Sequence, residues 1–74
     1  MFHLFETVQD SAGHAFTVST ISLGGGRFET LVFPGSSHLE VAGTRSFSEQ
    51  EAREDHQRLL EEARAGRLSE REAE

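Results

Sequence analysis

The chain has 74 residues, 13 of them acidic against seven arginines, with no lysine and no cysteine, for a formal charge of −6. A domain this short buries only about 60% of its unfolded surface, and without thiols neither a disulfide nor a thiolate zinc site can brace it. The acidic balance argues against direct nucleic-acid binding, and no apolar run approaches the roughly 20 residues that cross a bilayer.

Residues 1–47 predict strands, being rich in Phe, Val, Thr, Ile and Leu and punctuated by turn residues. A first strand covers about 2–9, followed by the turn Asp10-Ser11-Ala12-Gly13. A second covers about 14–23, with Phe16, Val18 and Thr20 alternating onto one face. Gly24-Gly25-Gly26 is a turn needing positive φ, and a third strand runs over 27–33. Pro34-Gly35-Ser36-Ser37 is the next turn, before a fourth strand over about 38–45. Short connections make neighbours antiparallel, so the strands form a meander. Phe5-Glu6-Thr7-Val8 is faintly echoed by Phe28-Glu29-Thr30-Leu31, each followed by a turn and a histidine. The echo is short enough to arise by chance.

The helix is the clearest element, over about 49–65. Ser48 is a good N-cap, Glu51 completes a capping box, and Phe47 and Ala52 are placed for a hydrophobic staple. No Gly, Pro or β-branched residue interrupts the segment. Ala52, His56, Leu59 and Ala63 form one stripe with Leu60 at its edge. Gly66 is a C′ stop, and Leu68 is placed to fold back on the last turn. Outside, Glu49–Arg53, Glu54–Arg58 and Arg58–Glu62 stand at i,i+4, each pair worth about 0.2–0.5 kcal/mol. The fold class is thus α+β: a three- to four-stranded antiparallel meander with one C-terminal helix on one face, in a single domain over 1–68. A polar tail, 69–74, is expected to fray.

The third strand is apolar on both faces, with Phe28 and Val32 on one side and Leu31 and Phe33 on the other. The first behaves alike, with Leu4 and Val8 opposed to Phe5. One helix about 25 Å long covers one face only. The other must be sheltered by the first hairpin curling over as a small barrel, or by another molecule. The expected partner is a second copy, through sheet packing or edge pairing, or else another protein. The expected interaction residues are Phe5, Phe28, Leu31, Val32, Phe33 and His56.

Chemistry finds little purchase. The histidines, His3, His14, His38 and His56, have no short ligand spacing, so a metal site would have to assemble from distant segments. His56 reads as a half-buried histidine bonded to the sheet. No Gly-x-Ser-x-Gly elbow is present, and the adjacent Ser37 and His38 diverge on a strand. The triple glycine lacks the Lys-Ser/Thr and the helix N-terminus of a phosphate cradle. Carboxylate neighbours such as Glu51 with Asp55, or Glu61 with Glu62, are expected on a solvated face, unsuited to general-acid work. No cofactor is implied, and the expectation is a non-enzymatic protein. The opening Met1-Phe2-His3-Leu4-Phe5-Glu6 lacks the regions of a secretory signal, so the expected compartment is the cytoplasm.

Segment 27–60 resembles a group of small actinobacterial and actinophage proteins. In these a Phe/Tyr-Glu-Thr-Met-Val-Phe strand precedes an Arg-Tyr-x-Thr/Ser segment and a helix that opens Glu-Glu-Ala and reaches Gly-His. The matching residues here are Phe28-Glu29-Thr30-Leu31-Val32-Phe33, Arg45, Phe47, Ser48, Glu51, Ala52 and His56; Leu31 replaces Met and Asp55 replaces Gly. The resemblance implies a strand–strand–helix unit, a phage or mobile-element context, and a definite seat for His56 against the sheet. It carries no activity. Two functional expectations follow: a homodimeric interaction module, or an acidic inhibitor of a larger enzyme or nucleic-acid machine. The inhibitor would use the helix, whose residues 49–65 hold six acids against three arginines.

Overall fold

The structure, a computed structural model, describes residues 2–35 and 39–68. Four antiparallel strands lie in chain order in one sheet: β1 (His3–Gln9), β2 (Ala15–Gly24), β3 (Arg27–Pro34) and β4 (Ala42–Ser46). One helix, α1 (Glu49–Arg64), packs across one face. This is the α+β meander-and-helix architecture expected from the sequence. The first hairpin does not curl over: β1 stays in the sheet beside β2 and leaves the second face open.

The register shows why the alternation matters. Glu6 pairs with Val18, Val18 with Val32 and Val32 with Ala42, so even-numbered residues of all four strands face the helix. Phe16, Val18 and Val32 from the sheet meet Leu59, Leu60 and Ala63 from the helix, and Leu68 folds back to join them. Each fully buried Val, Leu or Phe contributes about 1.5–3 kcal/mol over its exposed state. The helical stripe is wider than expected, because Leu60 is as buried as Leu59.

The helix starts as its cap dictates. The Glu51 N–H donates to Ser48 Oγ (3.1 Å), while Glu51 Oε1 reaches back to accept from the Phe47 N–H (2.7 Å). Phe47 itself stays 70% exposed, so the expected staple over Ala52 does not enclose it. At the other end Gly66 takes φ +83, and its N–H donates to the Ala63 carbonyl (3.1 Å). The β2–β3 turn is Gly25-Gly26, both at positive φ as a two-residue hairpin needs; Gly24 joins the ladder past a bulge between Ser22 and Gly24.

The main correction concerns the fourth strand, which begins at Ala42 and not near residue 38. Its ladder with β3 runs only from Val32–Ala42 to Phe28–Ser46, and Leu39 and Glu40 lie exposed before it. Ser36, Ser37 and His38 lie outside the described residues, as do Met1 and the expected tail from Ser69 to Glu74.

Candidate functional site

Two features stand apart from ordinary core packing. The first is a polar chain inside the helix–sheet interface. His56 is 2% exposed. Its Nε2 lies 2.8 Å from Glu6 Oε1 on β1, and its Nδ1 lies 2.8 Å from Thr20 Oγ1 on β2. Thr20 Oγ1 lies 2.7 Å from Thr30 Oγ1 on β3. Carboxylate, imidazole and the two hydroxyls thus form one continuous hydrogen-bonded row from β1 through α1 to β2 and β3. One helical residue thereby ties α1 to three strands, and every buried polar atom in the row has a partner.

The order hydroxyl–imidazole–carboxylate is the order of a nucleophile and its base. Position decides against that reading of this row: Thr20 and Thr30 are fully buried, so no substrate atom reaches either hydroxyl. The row is a fastener for the fold. His56 is more buried than the sequence implied, yet bonded to the sheet as expected.

Asp55 also departs from expectation. It is not on a solvated face: its Oδ2 accepts from the buried Ser46 hydroxyl (2.6 Å) and its Oδ1 from Arg58 (3.1 Å). Arg58 bridges Asp55 and Glu62 and leaves the expected partner Glu54 to Gln50. The Glu49–Arg53 pair forms at 3.1 Å, with the Arg53 guanidinium 4.9 Å over the Phe2 ring. Asp10, buried at the end of β1, accepts from the N–H groups of Ala12 (3.0 Å) and His14 (2.9 Å) and lies 3.1 Å from the His14 ring. Asp in such a turn is a recognisable signal for that geometry.

The second feature is the open face, formed by the odd-numbered strand residues. Phe5, Ser19, Leu31 and Gly43 lie in one row across the four strands, and Thr7, Thr17 and Phe33 in the next. Phe5 is 63% and Ile21 40% exposed, while Leu31 and Phe33 are half-buried. Small side chains occupy the middle: Thr17 and Ser19 of β2 lie low between Phe5 on one side and Leu31 and Phe33 on the other. Leu31 leans toward β4, where its Cδ2 sits 2.8 Å from the point a Cβ on Gly43 would take. Charge is confined to one end of the face, where Arg45 and Glu29 pair at 3.5 Å.

The six expected interaction residues therefore divide. Phe5, Leu31 and Phe33 share the open face. Phe28 and Val32 are buried on the opposite parity of β3, facing the helix, and His56 is buried on the helix side of the same interface. Ile21 was missed, although its odd position on β2 was readable. Glu6, Thr20 and Thr30 were missed as partners of His56.

Among the described residues no helix is long and apolar enough to cross a membrane. Among them too, no three His, Asp or Glu side chains converge as a metal site would require. No protein-family model, no curated protein and no solved structure gives a significant match to this chain.

Proposed function

We propose that the protein is a small, non-catalytic interaction module that works as a homodimer, with the open face of its sheet as the interface. The observation that carries this reading is the apolar group of Phe5, Ile21, Leu31 and Phe33 on a face that the chain's only described helix leaves uncovered. Leaving such a group in water forgoes burial worth about 25 cal/mol per Å² of apolar area, a large loss for a domain with so small a core.

Charge does not oppose a second copy over this face. The helix carries six acidic residues on the far side of the sheet, so two copies meeting by their open faces keep their helices outermost. The packed sheets alone separate them by about 10 Å, more than the roughly 8 Å over which charge is felt at physiological salt. The alternative, an acidic inhibitor acting through the helix, is less well supported. Asp55 and Glu62 are half-buried and engaged by Arg58, which thins the row of free carboxylates.

The face is small. Four strands spaced about 4.8 Å apart and about seven residues long give roughly 450 Å² of projected area per copy. Interfaces of that class are transient, so a dissociation constant in the micromolar range is expected. Sedimentation equilibrium from about 1 to about 500 μM tests this. The expected result is a monomer–dimer equilibrium that Phe5→Ser together with Phe33→Ser shifts to monomer. A wild-type protein that stays monomeric across the range would sink the reading.

A further inference from the structure

We infer that β1 is a releasable strap, latched to α1 by the bond between Glu6 and His56. The strands are anchored unequally. β2 buries Phe16, Val18 and Thr20, and β3 buries Phe28, Thr30 and Val32. β1 buries none of its seven residues: Leu4 and Val8 are half-buried and the rest are exposed. It is an edge strand, with a ladder to β2 on one side only. Its side-chain contacts with β2, Thr7 to Thr17 and His3 to Ser19, are both long at 3.5 Å. An element held by so few buried contacts opens at a lower free energy than the core beside it.

On the helix side β1 is held at three places. Phe2, just before the strand, meets the Phe28 ring edge-on at 5.2 Å, and Val8 packs at the margin of the core. Between them Glu6 Oε1 lies 2.8 Å from His56 Nε2, the only hydrogen bond from a β1 side chain to the helix among the described residues. Its two partners are placed differently. The Glu6 side chain is 56% exposed, so water receives it once it lets go, whereas buried His56 leaves Nε2 unpartnered until water enters. The far end of β1 is a hinge. There the Asp10 N–H donates to the His14 carbonyl (3.0 Å), and the Asp10 carboxylate holds the Ala12 and His14 N–H groups. The strap therefore swings out from the Phe2 end, uncovering the His56 ring and a bare edge of β2.

The register decides which amides report the opening. The Ser22 N–H donates to the Phe2 carbonyl (3.4 Å) and the Asp10 N–H to the His14 carbonyl (3.0 Å), so even-numbered residues of β1 and β2 bond each other. On β2 the N–H groups of Phe16, Val18 and Thr20 thus point to β1, and those of Thr17, Ser19 and Ile21 point to β3. Release of β1 frees the first three and leaves the second three bonded. Residue-resolved amide hydrogen exchange by NMR, on the full chain, tests this. Leu4, Glu6 and Val8 of β1, together with Phe16, Val18 and Thr20, should exchange at least about ten-fold faster than Thr17, Ser19 and Ile21. Glu6→Ala should speed the faster set by about a further ten-fold, and strand propensity does not confound it, since Glu and Ala are both poor strand formers. A β2 whose odd and even amides exchange together overturns the strap. Alternation that persists while Glu6→Ala leaves the faster set unchanged overturns the latch.

Discussion

Replacing Thr20 by Val exchanges one hydroxyl for a methyl in a site with no access to water. In the folded protein that hydroxyl serves two buried neighbours, His56 Nδ1 at 2.8 Å and Thr30 Oγ1 at 2.7 Å. Both lose their partner at once, and each buried polar group left unsatisfied costs about 1–3 kcal/mol. The expected loss is therefore roughly 2–4 kcal/mol, against a total of about 4–11 kcal/mol for a domain this size. Thr30→Val is the control. It also removes a buried hydroxyl, but Thr20 keeps its bond to His56, so about 1 kcal/mol is expected. Urea titration followed by circular dichroism, with all variants at one fixed protein concentration so that any self-association enters equally, measures both. Thermal midpoints should fall by about 10–25 °C for Thr20→Val and about 5 °C for Thr30→Val. The double variant should cost less than the sum, because the orphan at Thr30 disappears with its hydroxyl. A Thr20→Val protein within about 0.5 kcal/mol of wild type, or a Thr30→Val protein equally damaged, would refute the idea that Thr20 is the shared link in the row.

Two further changes probe the ends of the framework. Asp10→Ala removes a buried carboxylate that holds the Ala12 and His14 N–H groups, and a loss of about 1–3 kcal/mol is expected in the same titration. Stability unchanged to within about 0.5 kcal/mol would show that the turn holds without it. Gly66→Ala meets no obstruction, its nearest neighbour being Asp10 Oδ2 at 3.9 Å, so its cost is the left-handed backbone alone, about 1–2 kcal/mol. A neutral Gly66→Ala would mean that the chain relaxes there and that Leu68 is held in the core by other means.

Residues that speak through periodicity were legible from the sequence. The stripe Ala52, His56, Leu59, Ala63 has one face at helical spacing, and all four are buried. Ser48, Glu51 and Gly66 carry local chemistry that marks helix ends wherever they occur. The two-sided third strand announced an uncovered face, because side chains alternate across any strand. Register was not legible. Which of Phe28, Leu31, Val32 and Phe33 lies under the helix depends on which face the helix chooses, and that choice rests on long-range packing. The same holds for His56: its stripe said that it points inward, but only the pairing of β1, β2 and β3 brings Glu6, Thr20 and Thr30 to it. Asp55 looked solvated because its partner Ser46 is nine residues away and comes within reach only when β4 meets the helix. The start of β4 was not legible for the same reason, since its ladder with β3 runs only from Val32–Ala42 to Phe28–Ser46. Local conformational preference and alternation thus determined the elements and their inner and outer faces. Which faces meet, and which side chain completes which buried hydrogen bond, was decided by the tertiary structure, because buried polar groups must be satisfied by whatever the packed chain brings beside them.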